Sequence, residues 1–326
     1  MESSYTIVVP DAALLPRLCG TNDSNLRLIE KYLGVPVFTR GNELTVDSSD
    51  SRIEQQFQYI IDRIIDEAQS GSDVDTDMLL SIMNIRYASE LDGGLPASRR
   101  PLPREQYESA CISVPGGMRR VYPRTENQAA LVHAMRTHDL VFCTGPAGTG
   151  KTFLAAAEAL RMLRTHEVSS VILTRPVVEA GESLGFLPGD LEQKISPYLR
   201  PLYDAMELLL PREMIRRLLD SGAIEVAPLA YMRGRTLSHS AVILDEAQNT
   251  TQEQMKMFLT RMGEKSKIFV AGDVTQIDLP KRVPSGLVQA LAVLSAVPEI
   301  AVLEMTGDDV VRHPLVKKIV QAYETI

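Results

Sequence analysis

The spacing of hydrophobic positions along the chain changes near residue 125. In the first part, apolar residues recur at helical spacing over 24–34 and 51–70, and strand-like runs occupy 5–9 and 35–46. In the second part, short and almost continuously apolar runs alternate with helical segments; they are "DLVFCTG", "SSVILTR", "AIEVAPL", "AVILDEA", "KIFVAGD" and "IAVLEM". Such runs are typical of parallel strands covered by helices on both faces.

The two patterns predict an α/β chain with two domains. Residues 1–91 are expected to form a small N-terminal α+β domain with the order β-α-β-β-α and then a short helix near 75–89. Residues 92–124 are rich in arginine and proline and are interpreted as a linker, with a sequence at Gly116-Gly117 that suits a hairpin turn. Residues 125–326 are expected to form a doubly wound domain around a parallel sheet.

Composition narrows the functions that this chain could carry. Its 326 residues suffice for one full core and a small extra domain, and its net charge of −8 argues against a general binder of polyanions. Nucleic-acid contact would need a local basic patch, because phosphate binding depends on clustered Lys and Arg side chains. One such patch comprises Arg99, Arg100, Arg104, Arg119, Arg120 and Arg124.

Cysteine content and hydropathy bear on the compartment. The three cysteines are widely spaced and odd in number, a pattern that favours neither a disulfide framework nor a metal knuckle. The N-terminus lacks a basic start before a long apolar run, and no apolar stretch approaches the roughly 20 residues that span a bilayer. We therefore expect a cytoplasmic protein without membrane contact.

The segment "GPAGTGKT" follows an apolar strand, opens a helix and matches the phosphate-binding pattern G-x-x-x-x-G-K-[ST]. Its glycines let backbone N–H groups converge on phosphate oxygens, and the helix N-terminus favours their negative charge. Lys151 is expected to reach the β- and γ-phosphates of ATP, and the hydroxyl of Thr152 to bind Mg2+. The predicted nucleotide-binding residues of this P-loop are Gly145, Pro146, Ala147, Gly148, Thr149, Gly150, Lys151 and Thr152.

Two adjacent carboxylates end the apolar run of "AVILDEAQN". Asp245 is expected to hold Mg2+ through its water shell, and Glu246 to polarise the attacking water. A pair of solvated acids at a strand end is the alternative interpretation. The P-loop upstream in the same domain favours the catalytic one.

Two glutamines and an arginine are further candidates around the nucleotide. Gln276, in "GDVTQIDLP", is expected to sense the γ-phosphate or the attacking water, with an ordinary surface glutamine as the alternative. Gln128 lies upstream of the P-loop strand, where its amide could read the adenine edge or simply stand at the start of a helix. Arg312, after the last predicted strand, is the candidate cation for the γ-phosphate, with a structural role as the alternative.

Several arginines are candidates for RNA-phosphate contacts. Arg119 and Arg120 form the densest part of the basic patch. Arg175 ends the strand "SSVILTR", where it could contact a nucleic-acid phosphate or form a structural salt bridge. Arg233 and Arg235 stand in a glycine-containing loop that suits phosphate contacts or plain solvation.

Together these segments resemble the PhoH family of P-loop ATPases. The matching strings are "GPAGTGKT", "LTRPVVEAGESLGFLPGDLEQKISPY", "VILDEAQNTT", "GDVTQIDLP" and "VVRHPLVKKIV". The resemblance covers residues 120–326, and residues 20–46 resemble the segment that precedes the ATPase core in longer members. It implies a RecA-like core related to the first motor domain of superfamily-one helicases, and it supports the roles expected of Lys151, Thr152, Asp245, Glu246, Gln276 and Arg312.

The resemblance also implies partners. The resemblance implies RNA-linked roles. It also implies the ring-shaped oligomers and the partnership with an endoribonuclease of ribosomal RNA maturation that some members have. The N-terminal domain is similar in layout to a KH domain. Its nearest string to the RNA-clamping G-x-x-G loop is "CGTNDSN", which departs from that pattern.

We therefore predict a Mg2+-dependent ATPase that acts on RNA or is assisted by it. A P-loop kinase is one alternative, although Glu246 beside Asp245, together with Gln276, suits the activation of water better. A non-enzymatic, ATP-regulated scaffold for a nuclease is the other alternative.

The position of Arg312 close to the C-terminal end of this sequence leads to an expectation about assembly. Helicase motors close the ATP site with a second domain, so we expect a neighbouring subunit to supply that wall here. A head-to-tail interface repeated by rotation gives a homo-oligomeric ring, which we predict to be a hexamer. Arg261 and Arg282 are candidates for a cation supplied across that interface.

Overall fold

The computed structural model describes residues 4–69, 74–84, 109–118, 120–176 and 191–311, and only the backbone of residues 12, 77, 84 and 191–198. The chain divides into two compact units, the first made of Met1–Cys111 with Arg120–Glu126 and the second of Ile112–Arg119 with Asn127–Ile326. The predicted boundary after residue 91 lies outside the described residues.

The first unit is a three-stranded antiparallel sheet with helices. Its strands are β1 (Ser4–Val8), β2 (Val37–Arg40) and β3 (Glu43–Asp47), in the spatial order β1-β3-β2, and β5 (Arg120–Val121) is a further short strand. Its helices are α1 (Leu15–Cys19), α2 (Ser24–Leu33), α3 (Ser51–Gln69) and α4 (Thr76–Asn84). The predicted α+β class of this unit is confirmed, with α1 as an extra short helix before α2.

Local sequence explains the two main helices of this unit. Helix α2 ends where Gly34 adopts a left-handed conformation and donates its N–H to the Glu30 carbonyl at 2.8 Å. Helix α3 buries Phe57 and a row of isoleucines at helical spacing against the unit's core. The periodicity alone therefore located both helices to within one residue.

The second unit contains a six-stranded parallel sheet. Its strands are β6 (Leu140–Thr144), β7 (Ser170–Arg175), β8 (Ile224–Pro228), β9 (Ser240–Leu244), β10 (Lys267–Gly272) and β11 (Ile300–Glu304), and the short strand β4 (Ile112–Ser113) belongs to the same unit. Its helices are α5 (Glu126–Thr137), α6 (Lys151–Arg164), α7 (Leu191–Glu207), α8 (Arg212–Asp220), α9 (Gln252–Leu259) and α10 (Gly286–Leu294). A turn follows β4, in which the Gly117 N–H donates to the Val114 carbonyl at 2.8 Å.

The strand order of the large sheet, β11-β6-β10-β9-β7-β8, defines its class. Strand β10 lies between the strand that precedes the P-loop and the strand that precedes Asp245, which is the arrangement of RecA-like domains. The predicted RecA-like fold is thus confirmed. Thr144 pairs with Gly272, and Thr174 pairs with Leu244, so the carboxyl ends of four strands meet at one edge of the sheet. Ligands bind at this edge in open α/β sheets.

None of the helices in the described parts of the chain is both long enough and apolar enough to cross a membrane.

Candidate nucleotide-binding and hydrolysis site

The P-loop between β6 and α6 has the backbone that its glycines predict. Gly145, Gly148 and Gly150 all have positive φ angles, of 135°, 85° and 86°. A Cβ atom at Gly145 would also overlap the backbone of Met305, which lies just after β11. Glycine is therefore required at this position by both conformation and space.

The Lys151 side chain is folded back into the loop. Its Nζ donates to the carbonyl of Gly145 at 2.6 Å and to that of Pro146 at 2.8 Å. Burial lowers the pKa of Lys151, whereas the nearby Cys143, Asp273 and other acidic groups raise it. A partly desolvated ammonium held by two carbonyls and, at 3.3 Å, by the Thr149 hydroxyl would gain strongly from an anionic phosphate.

Thr152 and Asp245 form the most direct link between the P-loop and the acidic strand. The Thr152 hydroxyl donates to Oδ1 of Asp245 at 2.6 Å. Asp245 is only 7% exposed, and burial raises its pKa against the lowering effects of the Thr152 hydrogen bond and the Arg175 charge. A buried carboxylate beside a hydroxyl fits Mg2+, which prefers oxygen ligands and takes one or two carboxylates together with nucleotide phosphates.

Glu246 follows Asp245 in a left-handed conformation, with φ of 51°, which is uncommon for a residue with a Cβ. Its two carboxylate oxygens have different partners. Arg175 Nη2 lies 2.9 Å from Oε1, and Gln248 Nε2 donates to Oε2 at 2.5 Å. The candidate base is therefore held in one orientation from two sides.

The loop after β10 forms the next wall of the site. Oδ1 of Asp273 accepts hydrogen bonds from the backbone and the hydroxyl of Thr275, and Oδ2 accepts one from Gln276 Nε2 at 2.6 Å. Gln276 itself is exposed and lines the cavity described next. Asp273 thus sets the direction of the Gln276 amide, a role that the sequence analysis missed although the residue stands in "GDVTQ".

An open cavity of about 520 Å³ joins these groups, a size within the range of small-molecule sites. Its lining includes the residues predicted from the P-loop and the acidic pair, and it adds a wall from helix α7. The lining residues are Ala147, Gly148, Gly150, Lys151, Thr152, Phe153, Arg175, Pro201, Asp204, Ala205, Leu208, Asp245, Glu246, Gly272, Asp273 and Gln276.

Gln128 and Arg312 were predicted from sequence to contact the nucleotide. Gln128 is 4% exposed, and its Nε2 donates to the Thr149 carbonyl at 3.0 Å, a contact that braces the P-loop from behind. Its reading of adenine stays a prediction. Arg312 lies outside the described residues, but Val311 before it donates its N–H to the Gly148 carbonyl at 2.9 Å.

The arginines proposed for RNA occupy different surroundings. Arg175 lines the nucleotide cavity as the partner of Glu246. Arg120 pairs with Glu67 at 2.5 Å, and Arg235 pairs with Glu225 through both terminal nitrogens. Arg233 is exposed, and Arg119 lies outside the described residues. The geometry therefore favours a structural salt bridge for Arg235, and the RNA contacts stay predictions.

The fold and the site together define the class of protein to which this chain belongs. A parallel sheet in the RecA-like strand order, a P-loop and an Asp-Glu pair at the same edge are the features of RecA-like P-loop NTPases. The family model for PhoH-like protein matches residues 120–324, and this chain belongs to that family.

Two PhoH-like proteins match nearly the whole chain, and a third relative matches part of it. The chain is 46% identical over 319 residues to the PhoH-like protein of Bacillus subtilis, covering 97% of this chain and 95% of that protein. It is 42% identical over 326 residues to the PhoH-like protein of Synechocystis, with coverage of 99% and 95%. Protein PhoH of Escherichia coli K12 is 44% identical over 205 residues, covering 62% of this chain and 58% of that protein.

Two solved helicase structures are similar to part of the chain. The helicase domain of Pyrococcus furiosus Hef matches with a TM-score of 0.35 and 13% identity, covering 56% of this chain and 38% of that one. The Pif1 helicase of Candida albicans matches with a TM-score of 0.29 and 15% identity, covering 55% and 39%.

Proposed function

We propose that this protein hydrolyses ATP with the help of Mg2+. The observation that carries the proposal is the 2.6 Å hydrogen bond between Thr152 and Asp245, with Lys151 and Glu246 lining the same cavity. A P-loop ATPase needs these four groups at one place: a phosphate cation, two oxygen ligands for Mg2+ and a group that orients water.

Each side chain has a separate task in this reaction. Lys151 binds the terminal phosphates, while Thr152 and Asp245 would hold Mg2+, which supplies neutralisation of phosphate charge when bound. Glu246 orients a water molecule and accepts its proton as the new P–O bond forms and the bond to ADP breaks. Gln276, at the cavity wall, is suited to contact the γ-phosphate or that water.

Single substitutions test the proposed hydrolysis. Lys151→Ala should weaken ATP binding, because the phosphates lose a charged contact. Glu246→Gln should bind ATP normally but release phosphate at least about 100-fold more slowly, since the amide keeps the shape and loses the base. The exposed Lys256→Ala and Glu253→Gln variants on α9 are matched controls and should behave as wild type. Hydrolysis by Glu246→Gln at the wild-type rate would remove Glu246 from this role.

We further propose that the ATPase acts on RNA or is stimulated by RNA. We also propose that it works with an endoribonuclease that matures ribosomal RNA. The support is the family membership and the exposed Arg233 beside Gly234. We also propose a cytoplasmic location. Measuring phosphate release with and without RNA separates an RNA-stimulated ATPase from an ATP-regulated scaffold, which would bind ATP without turnover.

We propose that the protein assembles into a homo-oligomeric ring of six subunits. The support is the open side of the ATP cavity, which a neighbouring subunit could close, and an arginine given across an interface raises phosphoryl-transfer rates by roughly 10³–10⁵. The specific ATPase rate should then rise with protein concentration. Light scattering of the gel-filtration peak and an ATPase dilution series decide this, and a monomer with a constant specific rate would refute the ring.

A further inference from the structure

Gln248 is a buried polar residue beside Glu246 in the candidate site. It lies two residues after Glu246 and is 1% exposed. Burying an amide costs free energy unless its donors and acceptor are all satisfied. The partners of Gln248 therefore indicate why a glutamine occupies this position.

The Gln248 side chain contacts three separate parts of the site. Its Nε2 donates to Oε2 of Glu246 at 2.5 Å and to the Gln276 carbonyl at 3.2 Å, and its Oε1 accepts the N–H of Asp273 at 3.0 Å. The two amide hydrogens and the carbonyl oxygen are thereby all used. One side chain joins the candidate base to both ends of the loop that carries Gln276.

The neighbouring sequence leaves room for this arrangement. A Cβ atom at Gly272, the last residue of β10, would lie 2.9 Å from Gln248 Oε1 and 2.5 Å from Leu287 Cδ2. The backbone of Gln248 is fixed separately, because the Ser285 hydroxyl donates to its carbonyl at 2.7 Å. The main chain of Gln248 is thus fixed by Ser285, and its side chain makes the three polar contacts.

We propose that Gln248 is a positioning residue that couples the orientation of Glu246 to the conformation of the loop Asp273–Gln276. Gln248 holds Oε2 of Glu246 and directs Oε1 to the cavity side. A shift of the loop when Gln276 contacts a terminal phosphate would move the Gln276 carbonyl and the Asp273 N–H, and therefore the Gln248 amide. The orientation of Glu246, and so its ability to accept a proton from water, then depends on whether a phosphate occupies the site.

This inference rests on the proposed ATPase activity, and Gln248→Glu tests it with little change of shape. The carboxylate keeps an acceptor for Asp273 but loses both donors and repels Glu246. We expect kcat to fall about 10- to 100-fold, the range typical of partners that orient a reactive group, with ATP affinity and KM nearly unchanged. Ser285→Ala is the matched control, since it removes a buried hydrogen bond to the same residue without touching the amide, and it should keep the wild-type kcat.

A double-substitution cycle separates positioning from a general structural role. In a Glu246→Gln background, Gln248→Glu should cause no further loss of kcat, because Gln248 acts through Glu246. Additive losses, or an equal loss in Ser285→Ala, would overturn the proposal.

Amide hydrogen exchange of the nucleotide-free protein tests the coupling between Glu246 and the loop without requiring ATP turnover. Gln248→Ala should speed exchange over 246–249 and 273–276 together, whereas Ser285→Ala should not affect 273–276. Faster exchange confined to 246–249 would refute the coupling. If the wild type hydrolyses no ATP while both segments respond together, the proposed function fails and the coupling stands.

Discussion

The guanidinium of Arg175 lies 2.9 Å from Glu246 at Oε1, the carboxylate oxygen that Gln248 does not contact. The contact arises because β7 and β9 are adjacent parallel strands, so Arg175 at the end of β7 and Glu246 just after β9 meet at the same edge of the sheet. An arginine on Oε1 competes with the water molecule for the lone pairs of the base. In this arrangement Gln248 orients Glu246, and Arg175 restrains it.

Replacement of Arg175 by methionine should therefore raise the basal ATPase rate. Both side chains are partly exposed, and such ion pairs contribute about 0.2–1 kcal/mol, so an increase of up to about fivefold is expected. Steady-state phosphate release without nucleic acid measures this, with Arg216→Met on the exposed face of α8 as the control. A lower rate with unchanged KM would instead give Arg175 a direct part in the reaction.

Affinity for Mg2+ should depend on pH through Asp245. Burial raises the pKa of this carboxyl, and only its ionised form binds a cation, so affinity is lost as pH falls through that raised value. The loss should begin at a higher pH than an ordinary aspartate would give. Calorimetric titration of Mg2+ in the presence of an ATP analogue, at a series of pH values, tests this expectation. Asp245→Asn should bind Mg2+ weakly at every pH, and an unchanged profile in that variant would assign the titration to another group.

A buried carboxylate on helix α6 should contribute to stability. Glu158 has no exposed surface and lies between Arg136 at 3.1 Å and Arg161 at 2.8 Å. Glu158→Gln should lower the free energy of unfolding by about 3 kcal/mol, at the lower end for a broken buried pair because both arginines keep some contact with water. Denaturant titration measures this, and Asp220→Asn, in an exposed pair with Arg216, should change stability by no more than about 1 kcal/mol. Equal effects of the two substitutions would contradict this account.

RNA binding offers a comparison between two neighbouring arginines. Arg233 is exposed, whereas Arg235 is paired with Glu225. If the loop contacts RNA, Arg233→Ala should weaken binding similarly for all sequences and reduce the slope of log K against log salt by about 1. Arg235→Ala should mainly lower the melting temperature. Fluorescence anisotropy across a salt titration distinguishes these outcomes, and an unchanged slope in Arg233→Ala would move the RNA site elsewhere.

The fold class and the main parts of the site could be predicted from sequence because they depend on local rules. Helical spacing located α2 and α3, and apolar runs located the strands of the parallel sheet. The glycines of the P-loop and the position of Asp245 at a strand end follow from short-range requirements on backbone conformation. The sequence therefore determined the class of the domain and the edge of the sheet that carries the site.

Tertiary structure alone decided which side chains share the site. Arg175 and Glu246 are far apart along the chain and meet only because their strands are neighbours in the sheet. Gln248 gave no sequence signal, since a glutamine after an Asp-Glu pair can equally be exposed. Its role depends on the hydrogen bond that the N–H of Asp273, just after β10, donates to its side chain. Arginines likewise look alike in sequence, and only the position of Glu225 distinguishes the paired Arg235 from the exposed Arg233. Long-range pairing of this kind depends on strand order and register, which local patterns of residues do not encode.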